Sequence, residues 1–156
     1  MTQFKDTPVY QYAQRVIALE GKDAEIFKIV LDNKFIKDLV IFLNTEEQLK
    51  EKHVDSEGNP LTNRFSGSTT YSLFDPQGRG GKDYTLFDTG AYYESFKVEI
   101  ANYTIMIYSD PQKEDNNLFE MFGAEIEGLT QESMEVLIKE ALKKYITWYE
   151  NYILPQ

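Results

Sequence analysis

The stretch Leu86-Phe87-Asp88-Thr89-Gly90-Ala91-Tyr92-Tyr93-Glu94-Ser95-Phe96-Lys97-Val98-Glu99-Ile100 carries a turn signal, one short helical turn and the start of a strand. Asp88-Thr89-Gly90 changes the chain direction and supplies helix-capping oxygens. Tyr92, Tyr93 and Phe96 then present an aromatic face at helical spacing. From Phe96 the period becomes two, with Phe96, Val98 and Ile100 on one side and Lys97 and Glu99 on the other. A helix that feeds directly into a strand predicts an α+β fold.

Downstream, 97–101 and 103–109 alternate like two strands about a tight turn at Ala101-Asn102, with Tyr103, Ile105 and Ile107 on one face. A polar loop over 110–117 leads to Leu118-Phe119-Glu120-Met121-Phe122-Gly123, a short apolar turn closed by glycine. Thr130 caps a last helix that runs to about Leu154, before Pro155. Its wide apolar stripe includes Met134, Leu137, Ile138, Ala141, Leu142, Tyr145, Ile146, Tyr149 and Ile153, with Lys139, Lys143 and Lys144 opposite.

Upstream, Thr7-Pro8 starts a helix carrying Val9, Tyr12, Ala13, Val16 and Ile17, and Gly21 ends it. A second helix begins near Asp23 and turns Ile26, Phe27, Ile29, Val30 and Phe35 towards a core. The run 35–43 suits either a helix or a buried strand; the spacing of Ile36, Leu39, Val40 and Leu43 favours helix. Thr45-Glu46-Glu47-Gln48 has the form of a capping box and predicts a separate short helix to about Lys52. Over 54–85 the glycines and prolines break regular structure, yet Phe65, Tyr71, Leu73 and Phe74 are interspersed. This segment reads as a long extended loop, an arm that orders against a partner.

The expectation is a single α+β domain over 1–156: N-terminal helices, a small antiparallel sheet with a central hairpin, and a long C-terminal amphipathic helix. A chain of 156 residues has room for a real core, and a hydrophobic content of 42% argues against disorder. The formal charge of −10 excludes bulk attraction to a phosphate backbone. With no cysteine, disulfides and thiolate metal sites are excluded. Met1-Thr2-Gln3-Phe4-Lys5-Asp6 is not followed by an apolar run of signal-peptide length, and no stretch reaches membrane-span length, which predicts synthesis and assembly in a cytoplasm without membrane contact.

Chemical motifs are sparse. Gly78-Arg79-Gly80-Gly81-Lys82 lacks the longer gap and the following hydroxyl of a phosphate-binding loop, and Asp83 would repel phosphate. His53 is the only histidine and follows Lys52 at the end of a polar helix, where a solvated surface role is expected. A magnesium nuclease built from Asp75, Asp88, Glu94 and Glu99 would need carboxylates from different elements and an acidic chain that tolerates nucleic acid. Tyr92-Tyr93 lacks the basic flanks of a base-stacking platform, so packing in a core or protein interface is favoured. The expectation is no enzyme, no catalytic residue, no metal and no cofactor.

The order of N-terminal helices, the Asp88-to-Phe96 turn leading into a hairpin, and the Leu118-to-Gly123 motif resembles the virion-morphogenesis and tail-completion proteins of tailed bacteriophages. The matching positions are Thr89, Gly90, Tyr92 and Ser95, then Phe119, Glu120, Phe122 and Gly123, with Asp88 and Tyr93 beside them. The match covers residues 86–123; the rest agrees only in element order. Tyr92, Tyr93 and Phe96 are heavier than the aliphatics usual in that family, which suggests a distant subfamily. The resemblance implies a non-enzymatic structural protein of the virion neck, between portal and tail, made in the host cytoplasm. Its partners would be other neck, portal or tail proteins, and it would work as a homo-oligomeric ring through which DNA passes unbound. Phe65, Tyr71, Leu73 and Phe74 would then anchor an inter-subunit arm. The alternative is a small cytoplasmic protein-binding or regulatory module with no virion role.

Overall fold

The computed structural model describes residues 8–61, 86–87, 90–101, 103–113 and 115–154. The chain is α+β, with helices first, small antiparallel hairpins in the second half and a long helix last. Helix α1 spans Pro8–Ile17 and α2 spans Asp23–Leu31, which buries Ile26, Val30 and Leu31. Asn33 is extended and its side-chain oxygen accepts from the Ile36 N–H at 3.1 Å. That cap opens α3, Lys34–Phe42, and settles the run 35–43 as helix. Ile36, Val40 and Leu43 fall on one side of it and are almost fully buried. Phe35 therefore belongs to α3 and not to the second helix. It faces outward, with the Lys144 ammonium 4.7 Å from its ring centre.

No separate helix starts at Thr45. The chain runs from α3 straight into a π-helix, Leu43–Lys52, without leaving helical backbone angles at Leu43. With no extended residue there to act as a cap, the Thr45 hydroxyl donates back to the Ile41 carbonyl at 2.7 Å. His53, in the left-handed region at φ 55, ends the π-helix. Residues 54–61 fold back on themselves. Val54 bridges to Pro60, and an Asp55 carboxylate oxygen accepts from the Glu57 and Asn59 N–H groups, both at 2.9 Å. The arm expected over 54–85 thus begins with a closed turn whose last residue, Leu61, is buried. Residues 62–85 lie outside the described residues, and with them Phe65, Tyr71, Leu73 and Phe74.

Helix α4, Ala91–Glu94, leads into β1, Lys97–Ala101. The predicted alternation holds, with Val98 and Ile100 buried and Lys97 and Glu99 exposed. Strand β2, Thr104–Tyr108, pairs antiparallel with β1, Ala101 opposite Thr104 and Val98 opposite Ile107. That register places the reversal between Ala101 and Thr104, one residue later than expected. Tyr103 therefore leaves the Ile105–Ile107 face, takes φ 62 in the turn and packs its ring 5.4 Å from that of Phe27. The polar loop contains a miniature hairpin, β3 (Gln112–Lys113) against β4 (Asn116–Asn117). The Asn117 side chain caps α5, Leu118–Phe122, which a 3₁₀ turn at Ala124–Ile126 follows. Thr130 caps the last helix as expected, accepting from the Ser133 N–H at 3.1 Å, and α6 runs Gln131–Ile153.

Two apolar clusters hold these elements together. One gathers Leu49 and Leu61 with Tyr92, Tyr93, Phe96 and the α5 residues Leu118, Met121 and Phe122. The other packs α2 and α3 against Val98, Ile100 and Leu137. Ile41 and Ile107 touch both and join them. The expected inward stripe of α6 is only partly inward. Leu137 and Ile153 are buried, but Met134, Ile138, Leu142, Tyr145 and Ile146 are exposed. Helix α1 buries no residue, and Val9, Tyr12, Val16 and Ile17 are open. The physical reason is geometric. Helix α6 leans on α2, α3 and α1 along one edge, and among the described residues no further layer covers the rest of its apolar arc.

Candidate functional site

Among the open apolar residues, Tyr103, Met134, Ile138, Leu142 and Tyr145 line one groove. Its floor is Leu137 and Ala141 of α6; its walls are Phe27, Val30 and Leu31 of α2, the hairpin tip at Tyr103 and Ile105, and the outer α6 residues Ile138, Leu142 and Tyr145. The volume is about 540 Å³ and Thr104 is the only hydroxylated aliphatic in the lining. Ile138 is 57% exposed and Leu142 55%. Through Ile105, Met134 and Leu137 the groove continues beneath β2 into a second hollow of about 310 Å³, bounded by Ile107, Leu129 and Glu127. Soluble monomers seldom leave an apolar surface this continuous in water, and such surfaces mark sites of protein contact.

A buried polar clamp sets the position of α6, and so the width of the groove. Asn44 and Gln48, both fully buried on the π-helix, reach the loop before α6. Asn44 donates to the Ile126 carbonyl at 3.1 Å and accepts from the Gly128 N–H at 3.2 Å. Gln48 donates to the Gly128 carbonyl at 2.9 Å and accepts from the Thr130 N–H at 2.7 Å. The π-helix phasing brings both amides to one side, so every polar atom of the pair has a partner. Gly128 sits at φ +128, and a Cβ there would meet the Ser56 side chain at 3.0 Å. At the far end, the Arg15 guanidinium of α1 donates to the carbonyls of Ile153 at 3.1 Å and Leu154 at 3.2 Å, which closes the C-terminus of α6.

Aromatic rings extend the open surface along α6. Trp148 and Tyr152 stack at 5.3 Å, Tyr145 and Tyr149 at 6.0 Å, and Tyr145 stands 6.1 Å from Trp148. A hydrogen bond between Tyr12 and Tyr149 ties α1 to this row and raises the Tyr149 pKa.

The motif residues lie elsewhere. Tyr92, Tyr93 and Phe122 come together, but inside the first cluster. The Tyr92 and Phe96 rings meet edge to face at 5.1 Å, and Tyr93 lies 5.2 Å from Phe87. Gly90 is buried at φ +84, where a side chain would be strained. The Ser95 hydroxyl donates to the Tyr92 carbonyl at 2.6 Å and accepts from the Asp110 N–H at 2.9 Å. Gly123 is buried, Phe119 is half-buried, and Glu120 is exposed. Asp88 and Thr89 lie outside the described residues. The described motif residues thus pack α4 and α5 together beside the hairpin, while the open groove lies on α6, α2 and the hairpin tip.

Two polar features were not foreseen. Glu127 accepts from the Ser109 N–H and hydroxyl, and the Ser109 hydroxyl lies 3.2 Å from the Tyr92 hydroxyl. Burial pushes the Tyr92 pKa far up; the Ser109 bond lowers it, and the Glu127 charge adds to the rise. Burial does the same to Tyr93, aided by Glu46. His53, expected on a solvated surface, is half-buried with its Nδ1 enclosed and without a hydrogen-bond partner. Neither feature assembles a nucleophile, a base and a charge-stabilising donor around an open space. Of the carboxylates weighed for a nuclease, Glu94 and Glu99 are exposed on separate elements, and Asp75 and Asp88 lie outside the described residues. Among the described residues no three histidine, aspartate or glutamate side chains converge to hold a metal ion, and no helix is long and apolar enough to cross a membrane. No protein-family model, curated protein or solved structure matches this chain.

Proposed function

We infer that the chain is a non-enzymatic structural subunit of a tailed-phage neck, working at the head–tail junction in a ring of identical copies. The observation that carries this reading is the open apolar surface formed by α6, α2 and the hairpin tip. A ring subunit needs two different faces that meet head to tail, at least one of them apolar enough to hold a neighbour. The resemblance of residues 86–123 to phage tail-completion proteins supplies the setting. The charge of −10 suits a ring whose lumen DNA must cross without sticking. Portal and tail proteins would be its other partners, in the virion and, during assembly, in the host cytoplasm.

The concave form of the groove favours a second reading, a small protein-binding module that takes one partner helix and has no virion role. Mutation in the producing phage separates the two. Ile138→Glu with Leu142→Glu places two charges on the open wall, where neither side chain is buried. The neck reading expects unjoined heads and tails by electron microscopy. Normal joined particles at normal titre would overturn it.

A further inference from the structure

We propose that the groove between α2, the hairpin tip and α6 receives the Tyr71-Ser72-Leu73-Phe74 stretch of a neighbouring copy. This rests on the reading of the chain as a ring subunit and names the contact that would close the ring. The lining offers apolar walls on three sides and a volume of about 540 Å³, within the roughly 300–1,000 Å³ usual for a binding pocket. Tyr71, Leu73 and Phe74 place three large apolar side chains within four residues, the chemistry such walls take.

Length and attachment support the exchange. Leu61 and Leu86, which flank residues 62–85 in the chain, both pack in or against the cluster around Tyr92 and Phe122. Twelve residues out and twelve back, at about 3.4 Å each, give a reach of roughly 40 Å. A compact domain of this length has a radius of gyration of about 15 Å, so the middle of the segment can pass beyond its own subunit. Charge favours docking of the segment on such a body. The segment holds Arg64, Arg79 and Lys82 against Asp75 and Asp83, a net +1. The remaining residues hold 13 basic and 24 acidic side chains, a net −11, so the segment is attracted to the body of this chain, a neighbour's as much as its own.

The test titrates a synthetic peptide of residues 62–85 into full-length Tyr71→Ser/Phe74→Ser protein, whose own stretch is disabled. The readout is the fluorescence of Trp148, the single tryptophan, which stands 6.1 Å from groove residue Tyr145, with calorimetry in parallel. The expected result is saturable binding, weakened at least tenfold when Ile138→Glu and Leu142→Glu are added. Those positions are more than half exposed, so an unchanged urea midpoint shows that the fold survives. Binding that ignores the groove substitutions, or no binding to protein with an intact groove, overturns the inference. Wild-type protein should also self-associate as its concentration rises. Peptide binding without any self-association would assign the stretch to its own subunit's groove and overturn the exchange between copies. Failure of the neck reading is separate: it would appear as absence of the chain from particles, whatever the peptide does.

Discussion

At the scale of single residues, the amide of Gln48 links two elements. Gln48→Leu keeps the volume roughly and removes both bonds, leaving the Gly128 carbonyl and the Thr130 N–H without the partner they have now. An unpartnered buried group costs about 1–3 kcal/mol, so the expected loss for the two is about 2–6 kcal/mol, read as a lower urea midpoint with unchanged slope. Tyr92 and Tyr93 predict a pH dependence. Burial raises both above the ordinary phenol value, which is about 10 in an unfolded chain. Below that value both states keep the proton and the contribution is intact. Above it the unfolded chain ionises first, so stability falls as pH rises from about 10 towards the raised folded values. Urea melts at about pH 9 and pH 11 should show that fall, and Tyr92→Phe/Tyr93→Phe should shrink it. The Thr130 cap was legible in sequence because a cap acts within its own turn. Thr45 misled because the same four-residue pattern also fits the interior of a continuous helix, where the hydroxyl turns back to Ile41. Gln48 read only as the last residue of that capping box, since its actual partners lie 80 and 82 residues away.

At the scale of elements, periodicity located the helices and the hairpin but could not say what covers a face. The α6 stripe and a buried α6 face look the same in one dimension; only the placement of α2, α3 and α1 decides which part of the arc is enclosed. The hairpin slipped by one residue because a two-residue turn can sit at either of two adjacent pairs, and Tyr103 suits a strand as well as a turn. Arg15, at the end of α6, holds α1 there together with the Tyr12–Tyr149 hydrogen bond. Arg15→Ala should cost about 1–2 kcal/mol, the upper range for a cation at a helix C-terminus. Hydrogen exchange should show it as faster exchange confined to α1 and the last turn of α6. Uniform loss of protection across α2 and α3 would mean that α1 is integral to the core. Ile138→Glu should shift stability by no more than about 0.5 kcal/mol, as exposed substitutions do, while it reduces self-association in sedimentation velocity.

At the scale of the whole molecule, Tyr92, Tyr93, Phe96 and Phe122 help build the interior, and the groove left open lies on α6, α2 and the hairpin tip. Fold class was legible because it follows from local period and turn chemistry. The groove was not, because it arises where three elements far apart in sequence fail to close over one another. A copy of this chain alone leaves Ile138, Leu142 and Tyr103 in water; a ring would give each copy a neighbour to cover them. The measurement that decides is quantitative mass spectrometry of purified particles from the strain that makes this protein. A closed ring of identical copies predicts a low copy number that is the same in every particle. Complete absence from intact, joined particles would contradict it.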